Sequence, residues 1–440
     1  MRIDIRVTAA LMVAATGGAA AQQLPPVRQL GPVVAKTTEP LSSIAGVRAT
    51  SGGVVVNDVA SRRVILFDSS LTKSVLIADS TSATANAYGG RFGGLIPYRG
   101  DSTLFVDAQS MSMLVIDPAG KVARVMSVPR SQDAMAFAGG PLGSASFDPA
   151  GRIVYRAGGM RMMRGGPGAA GPGGAGGMPH IPQPPDSAAI MRVDLQTRTV
   201  DTVAFIKIPK VSMQMNRADD GTITMTSEVN PLPVVDDWAV MPDGSIAIVR
   251  GRDYHVDWIA PDGTKRSSPK IPFEWQRLTD EDKVAFLDSV KAARERLLAN
   301  GGADRAGAVA GMLGGAPPPG AQTMIVMRDG AGGGGAAPGG VNMRSPQVNF
   351  VPADQLPDYK PPFFSGAVRA DAEGNLWIRT IPTKAIAGGP VYDVVNKQGE
   401  LVDRVQLPQG RTIVGFGAGG VVYLTAREGD KTVLERARAK

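Results

Sequence analysis

The 440-residue chain contains no cysteine. That absence excludes disulfides, a thiolate nucleophile, a cysteine metal site and a lipoprotein anchor cysteine. Histidine is nearly missing too, with only His180 and His255 present, so chemistry that needs several imidazoles is excluded. Neither a Gly-Xaa-Ser-Xaa-Gly elbow nor a phosphate-binding loop ending in Gly-Lys-Ser/Thr occurs, which removes the best-marked hydrolase and nucleotide-binding classes. Gly-rich matches to dinucleotide fingerprints do not fall between a strand and a helix, and carry no weight. Aromatic residues make up 5% of the chain, and the Arg164-Gly-Gly fragment has none beside it. Nucleic acid is therefore not an expected partner. Past the N-terminus no apolar run approaches the ~18 residues of a membrane span.

The first residues read as an export signal. Arg2 and Arg6, offset by Asp4, precede an apolar run from Val7 to Ala15, and Ala19, Ala20 and Ala21 form a small-residue cleavage site before Gln22. Residues 1–21 are thus expected to be a signal peptide, the mature chain to have no transmembrane segment, and the protein to be periplasmic or secreted. Net charge is +7, or +6 without residues 1–21. Over so long a chain this is a mild basic excess that would steer anionic partners only weakly. Without disulfides, stability in an oxidising compartment must come from burial and strand pairing.

What the chain has in abundance is a repeated phrase: an apolar run, a Pro-Asp-Gly-type turn and a second apolar run. It occurs at Ala145-Ser-Phe-Asp-Pro-Ala-Gly-Arg-Ile-Val-Tyr155, at Trp238-Ala-Val-Met-Pro-Asp-Gly-Ser-Ile-Ala-Ile-Val249 and at Ala367-Val-Arg-Ala-Asp-Ala-Glu-Gly-Asn-Leu-Trp-Ile378. A hairpin recurring every few tens of residues marks radial β architecture. Six units follow, the last short of one strand, while the stretch from Gly31 to Glu39 supplies one unattached strand. Pairing the two ends would close a ring and remove exposed sheet edges. With its Asp/Pro-Asp/Ala-Gly turns and short strands such as Gly52-Gly-Val-Val-Val-Asn-Asp58 and Gly374-Asn-Leu-Trp-Ile-Arg379, the chain resembles the six-bladed β-propellers of the NHL and TolB-like superfamily. The resemblance spans residues 31–437 apart from two inserts. It implies an all-β fold and leaves activity open, because propellers host enzymes, binders and scaffolds alike.

The inserts are residues 158–187, in the third unit, and 271–362, between the fourth and fifth. The first is mostly Gly, Ala and Pro and is expected to be disordered. The second opens with a predicted helix from Asp280 to Asn300, with Thr279 as N-cap and Asp282 three residues on. Phe286, Val290, Ala293 and Leu297 form its packing face, and Glu281–Lys283 and Arg294–Arg296 its solvated one. In a four-stranded antiparallel unit, the loop between strands two and three lies on the same side as the exit from strand four. Both inserts therefore emerge on one face.

On that face the second strands end in polar residues: Asn57 and Asp58, Asp107, Arg156, Arg250, Arg379 and Thr425. Arg156, Arg250 and Arg379, with Asp58, Asp107 and His255, are candidates for a channel-mouth site that takes a small anionic ligand. The competing reading is that these charges pair with one another or meet solvent. His255, flanked by Asp253, Tyr254 and Asp257, fits a hydrogen-bonded structural residue better than a general base. Gluconolactonase-like six-bladed propellers imply a sharper alternative, in which Glu39, Asn57, Asp58 and Asp107 hold Ca2+ or another divalent cation. Only the Glu39-Pro40 fragment matches that family. A likeness to streptogramin lyase would need His and Glu repeated along successive units, which two histidines cannot supply. Trp238, Trp258 and Trp377 read as packing residues, and Trp275, beside the insert helix, as the exception. The chain thus reads as an exported, monomeric binding or scaffold module without a cofactor, its partner an unknown protein or a small anionic ligand. The alternative is a metal-dependent hydrolase or lyase acting in the central channel. Deleting Gly158 to Pro185 should leave cooperative unfolding intact, because the tract offers no core; a scan in which that deletion loses its cooperative melting transition would refute this.

Overall fold

The computed structural model describes residues 24–81, 88–90, 93–139, 143–158, 183–217, 223–299, 347–384 and 387–439. The expected signal peptide, most of the first insert and the Gly-rich stretch from 301 to 340 lie outside the described residues.

Strands β1 (Val27–Gln29) and β2 (Ala35–Lys36) precede a first sheet of β3 (Ile44–Thr50), β4 (Gly53–Asp58), β5 (Arg63–Phe67) and β6 (Ser74–Ala78). The second sheet is β7 (Gly93–Pro97), β8 (Thr103–Asp107), β9 (Ser112–Ile116) and β10 (Val122–Ser127). Beyond the short helix α1 (Ala134–Phe137), the third holds β11 (Ser146–Phe147), β12 (Arg152–Arg156), β13 (Ser187–Asp194) and β14 (Val200–Lys207). A hairpin of β15 (Val211–Arg217) and β16 (Ile223–Val229) leads to the fourth sheet, β17 (Asp236–Val240), β18 (Ile246–Arg250), β19 (His255–Ile259) and β20 (Lys265–Ser267). Helix α2 (Asp280–Ala299) and β21 (Gln347–Phe350) precede the fifth, β22 (Phe363–Ala370), β23 (Leu376–Thr380), β24 (Val391–Val395) and β25 (Leu401–Gln406). The sixth comprises β26 (Thr412–Gly417), β27 (Val421–Glu428) and β28 (Lys431–Arg438). Apart from β1 and β2, neighbouring strands in these six sheets follow chain order. The chain is mostly β, built from many four-stranded sheets, an arrangement consistent with a β-propeller.

The repeated turns explain the hairpins. Gly151 and Gly244 close turns with φ of +94° and +83°, which a Cβ would strain. At Gly151 an added Cβ would also sit 2.0 Å from Arg99 Nη2. The aspartates that open such turns satisfy the next strand: Asp148 accepts the Arg152 N–H at 2.9 Å, and Asp371 accepts the Asn375 N–H at 2.7 Å and the Trp377 indole at 3.0 Å.

The chain ends meet the sheets in two ways. Strand β2 pairs antiparallel with β28, Ala35 opposite Arg436, and makes the sixth sheet four-stranded. Backbone bonds continue this seam from Gly31 N to Arg438 O through to Leu41 N on Thr432 O. Strand β1 adds to the fifth sheet, parallel to β25, and the sequence pattern did not signal it.

Each sheet buries its faces against two others. One apolar cluster joins the first and second sheets through Val55, Leu66, Phe105 and Leu114, and another joins the second and third through Leu104, Val106, Ile153 and Tyr155. Val154, Ile190, Ile246 and Ile248 link the third to the fourth, and Ala247, Val249, Leu376 and Ile378 the fourth to the fifth. Trp377, Val405, Ile413 and Leu424 link the fifth to the sixth. Val54, Val56, Val414 and Tyr423 join the sixth back to the first.

A small cap stands outside these sheets. Strand β21 pairs parallel with β16, so two successive inter-sheet connections share one three-stranded sheet. Leu287 of α2 packs with Leu232 and Leu356 beneath it. The helix begins as expected: the Thr279 hydroxyl accepts the Asp282 N–H at 3.2 Å, and the Asp282 carboxylate accepts the Thr279 N–H at 2.9 Å. Its inner face differs from the expected one. Lys283 is buried and pairs with Asp358 at 2.8 Å, and Arg294 donates to the Val348 carbonyl. The buried stripe runs through 283, 287 and 290, one position round from a face centred on Phe286, because the connection returning through Asp358 offers those long side chains partners. Gln183 exchanges two hydrogen bonds with the Met213 backbone, so the far end of the first insert is already attached to the cap.

Removing residues 1–39 would strip β2 from β28 and expose its edge. The expected result is a melting temperature lower by ~5 °C or more, with aggregation that grows with protein concentration. Calorimetry and light scattering check this, and an unchanged, monodisperse truncation would contradict it.

Candidate functional site

Side chains alternate along each second strand, so its terminal polar residue is committed to one inter-sheet interface. Asn57 turns toward the second sheet, where its Nδ2 donates to the Gly93 carbonyl at 2.7 Å and its Oδ1 accepts the Tyr88 hydroxyl at 2.8 Å. Asp58, fully buried, turns the other way. It accepts the Ser42 and Ser43 N–H groups at 3.1 and 2.9 Å and Arg63 at 3.0 Å. Asp107 accepts from Gly89 N at 2.8 Å, Gln109 N at 3.1 Å and the Ser110 hydroxyl at 2.6 Å. Glu39 accepts from Arg63 and Ser74, both at 2.8 Å.

Of the four expected metal ligands, Glu39 and Asp58 do come together, but around the Arg63 guanidinium. Asn57 and Asp107 serve the opposite face of the first sheet. Among the described residues no three His, Cys, Asp or Glu side chains gather in a set that could hold a metal ion. All four oxygen donors are engaged by protein N–H and O–H groups, and loop backbone is tied by two of them, Asp58 and Asp107.

The three arginines do not form one arc. Arg156 and Arg250 enter the interface of the third and fourth sheets from opposite sides, on the faces that carry Val154 and Ile248. Arg379 shares the face of Trp377 in the interface of the fifth and sixth sheets, where its charge acts on Tyr392. Arg250 is well partnered: it donates to Asp257 and Asp236, both at 2.7 Å, and to the Phe205 carbonyl at 3.3 Å. Asp236 also accepts the Lys207 N–H at 2.9 Å. Arg250 and Asp236 therefore cap the outward backbone of edge strand β14, an edge that would otherwise invite pairing. His255 stands between two carboxylates, with Nδ1 2.7 Å from Asp253 and Nε2 3.2 Å from Asp257. Beside this network a groove of 420 Å³ runs between β14 and the fourth sheet, walled by Phe205, Ile248, Arg250 and Lys265.

Among the described residues Arg156 and Arg379 make no side-chain hydrogen bond, and of the two only Arg156 is buried. It is 5% exposed, its Nε is buried without a partner, and among the described residues none of its nitrogens makes a hydrogen bond. Burial lowers its pKa, and the nearby charge of Asp237 opposes that shift.

Two acids that sequence reasoning missed lie at the interface of the fourth and fifth sheets. Asp237 accepts the Val368 N–H at 2.8 Å, stitching β17 to β22, and burial pushes its pKa up to about 6 against the lowering pull of backbone N–H groups and Arg156. Asp393 accepts the Tyr254 hydroxyl at 2.9 Å and Arg404 Nε at 3.2 Å, and burial lifts it to about 6 as well. Asp393 carried a local signal, since it interrupts the otherwise apolar strand Val391-Tyr-Asp-Val-Val395.

No protein-family model matches the chain, and no curated protein matches it. Solved structures do. Regucalcin, a calcium-binding protein of Agrobacterium tumefaciens, is 11% identical at a TM-score of 0.39, over 94% of this chain and 98% of that one. A member of the DUF4221 family from Bacteroides vulgatus is 8% identical at 0.38, over 95% and 97%. Virginiamycin B lyase of Staphylococcus aureus is 9% identical at 0.35, over 91% and 82%. At such identities and TM-scores these likenesses say nothing about chemistry. No helix among the described residues is long and apolar enough to cross a membrane.

The two raised acids predict a pH dependence. Each has a folded pKa of about 6 against an ordinary 3.8, so between those values the folded state binds more protons than the unfolded one. Their stabilising contribution is complete below pH ~4 and is lost as pH rises through ~6, on the order of 2–3 kcal/mol per group. Urea unfolding of the wild type and of the Asp237→Asn/Asp393→Asn variant at pH 4.5 and 7 tests this. The wild type should lose more stability over that interval than the variant, and equal losses would contradict the assignment.

Proposed function

We propose that the chain is an exported, six-bladed β-propeller, its ring closed by β2 on β28, that works as a binding module. It takes a small anionic ligand or a protein partner at the mouth of its central channel, on the capped side. The cap carries this reading. Two successive connections and the attached end of the first insert gather at the strand ends where Arg156 lies, and elaborated connections on a rigid scaffold are where binding surfaces are built. The cyclic order of the apolar clusters and the seam from Gly31 to Leu41 support the closed ring. Export rests on the composition of residues 1–21.

The test is a thermal-shift screen of the full chain without its signal segment, against small carboxylates, inorganic oxyanions and divalent cations. A ligand that binds only the folded state at a hundred times its Kd adds about 2.7 kcal/mol, so at least one anion should raise the melting temperature saturably. A rise specific to calcium, abolished by Asp58→Asn or Asp107→Asn, would overturn this reading in favour of the metal-dependent hydrolase. No shift with any anion would remove the small-ligand form of the proposal.

A further inference from the structure

Arginine carries five N–H donors, and a guanidinium taken out of water needs acceptors for them. Among the described residues Arg156 has none. Its stem follows Val154 into the interface of the third and fourth sheets, it is 95% buried by exposure, and its Nε faces no partner. The facing strand shows what a structural arginine looks like here, since Arg250 makes three hydrogen bonds. The acid nearest in charge, Asp237, does not take up the slack. Its carboxylate is occupied by the backbone N–H groups of Val368, Trp238 and Ala367, and it forms no ion pair with Arg156. A cation is thus held in the interface with its donors open, one residue before the chain leaves β12 on the capped side.

We propose that Arg156 is the anchor of a small oxyanion site, in which the guanidinium fork takes two oxygens of a carboxylate or an inorganic oxyanion beside Asp237. This rests on the binding-module reading and names the ligand class and the group that holds it. The planar fork matches two oxygens of either ligand. The near-complete burial restricts the occupant's charged end to a few atoms. Asp237 tunes the site: ionised, it repels the anion, and protonated, it does not. The groups that face Asp237 are Arg156 from β12 and the N–H groups of Trp238, Ala367 and Val368, while its neighbour Asp236 is committed to Arg250. Burial holds Asp237 near pH 6, so the anion should bind more tightly at pH 5 than at pH 7.

Isothermal titration of the full chain with acetate, succinate, phosphate and sulfate, at constant ionic strength in chloride, is the test. Saturable binding is expected, and whether the dicarboxylate or the inorganic anions bind best distinguishes the two sources. Arg156→Met keeps the apolar stem and should weaken binding at least about tenfold. Arg124→Met, at an exposed position of β10, should leave it unchanged. Asp237→Asn should tighten binding at pH 7 and remove the difference between pH 5 and pH 7. Should Arg156→Met fail to fold, the Nε–H resonance of Arg156 in the wild type must move saturably with the anion. Unaltered binding by Arg156→Met, or an unmoved resonance, overturns this site while leaving the binding-module reading in place. No binding of any anion to the wild type at either pH overturns this site together with the small-ligand form of the binding-module reading.

Discussion

Every four-stranded sheet in this chain has two apolar faces, and no single layer of strands can cover both. The apolar clusters show how that constraint is met: each sheet lends one face to its predecessor and the other to its successor, and the sixth returns to the first. Without cysteine, this mutual burial is the main source of cohesion. Tyrosines recur at the seams. Tyr88, Tyr155, Tyr254, Tyr392 and Tyr423 are each buried in a different inter-sheet cluster. Four of their hydroxyls find partners, on Asn57, Asp133, Asp393 and the Ile413 N–H. A buried tyrosine contributes area along its ring and a directional bond at its tip, so it sets how two sheets sit as well as that they meet.

The same constraint decides what polar residues at strand ends can do. A side chain that must point into one interface or the other meets a neighbouring sheet or a tight turn before it meets a ligand. Asn57, Asp58 and Asp107 are consumed in this way, and Arg250 is spent on closing the edge of β14. A cluster of charges at strand ends is therefore weak evidence for a site until each charge has been asked for its partners. Put to Arg156, that question returns none among the described residues.

How much was legible follows from which signals are local. The Pro-Asp-Gly turns and alternating apolar strands announce hairpins, and the count of units and the unattached strand near Gly31 come from the same rhythm. The helix from Asp280 was readable from its cap. Strand β1 was not, because Val27–Gln29 lies in a Pro-containing segment and pairs with β25 across the whole chain. The hairpin of β15 and β16 was also missed. It carries the alternation of a strand in Val211-Ser-Met-Gln, but it interrupts the repeat between two regular sheets, and a period-based reading passes over what falls between periods. The site was less legible still, since partnering is a property of interfaces. Nothing local separates Arg156 from Arg250, both of which end a second strand with the same residue type. The difference is that Asp236 and Asp257 lie within reach of one and not of the other.

The interface of the fourth and fifth sheets unites these themes. It holds Asp237 and Asp393, both buried and both resisting ionisation, and it is the seam from which the longest connection, carrying α2 and β21, departs. A wholly apolar seam would be simpler and no less stable, since buried charge rarely repays its desolvation. What the acids add is direction. Asp237 binds the backbone of β22 at Val368, which fixes the stagger of β17 and β22, and Tyr254 on Asp393 ties the turn before β19 to β24. Apolar contacts alone would tolerate a slip between the sheets; a carboxylate on a particular N–H does not. The cap is anchored on either side of that seam, at Leu232 before β17 and at Leu356 before β22. Its position over the strand ends, and with it the surroundings of Arg156, therefore depends on the register those two acids hold.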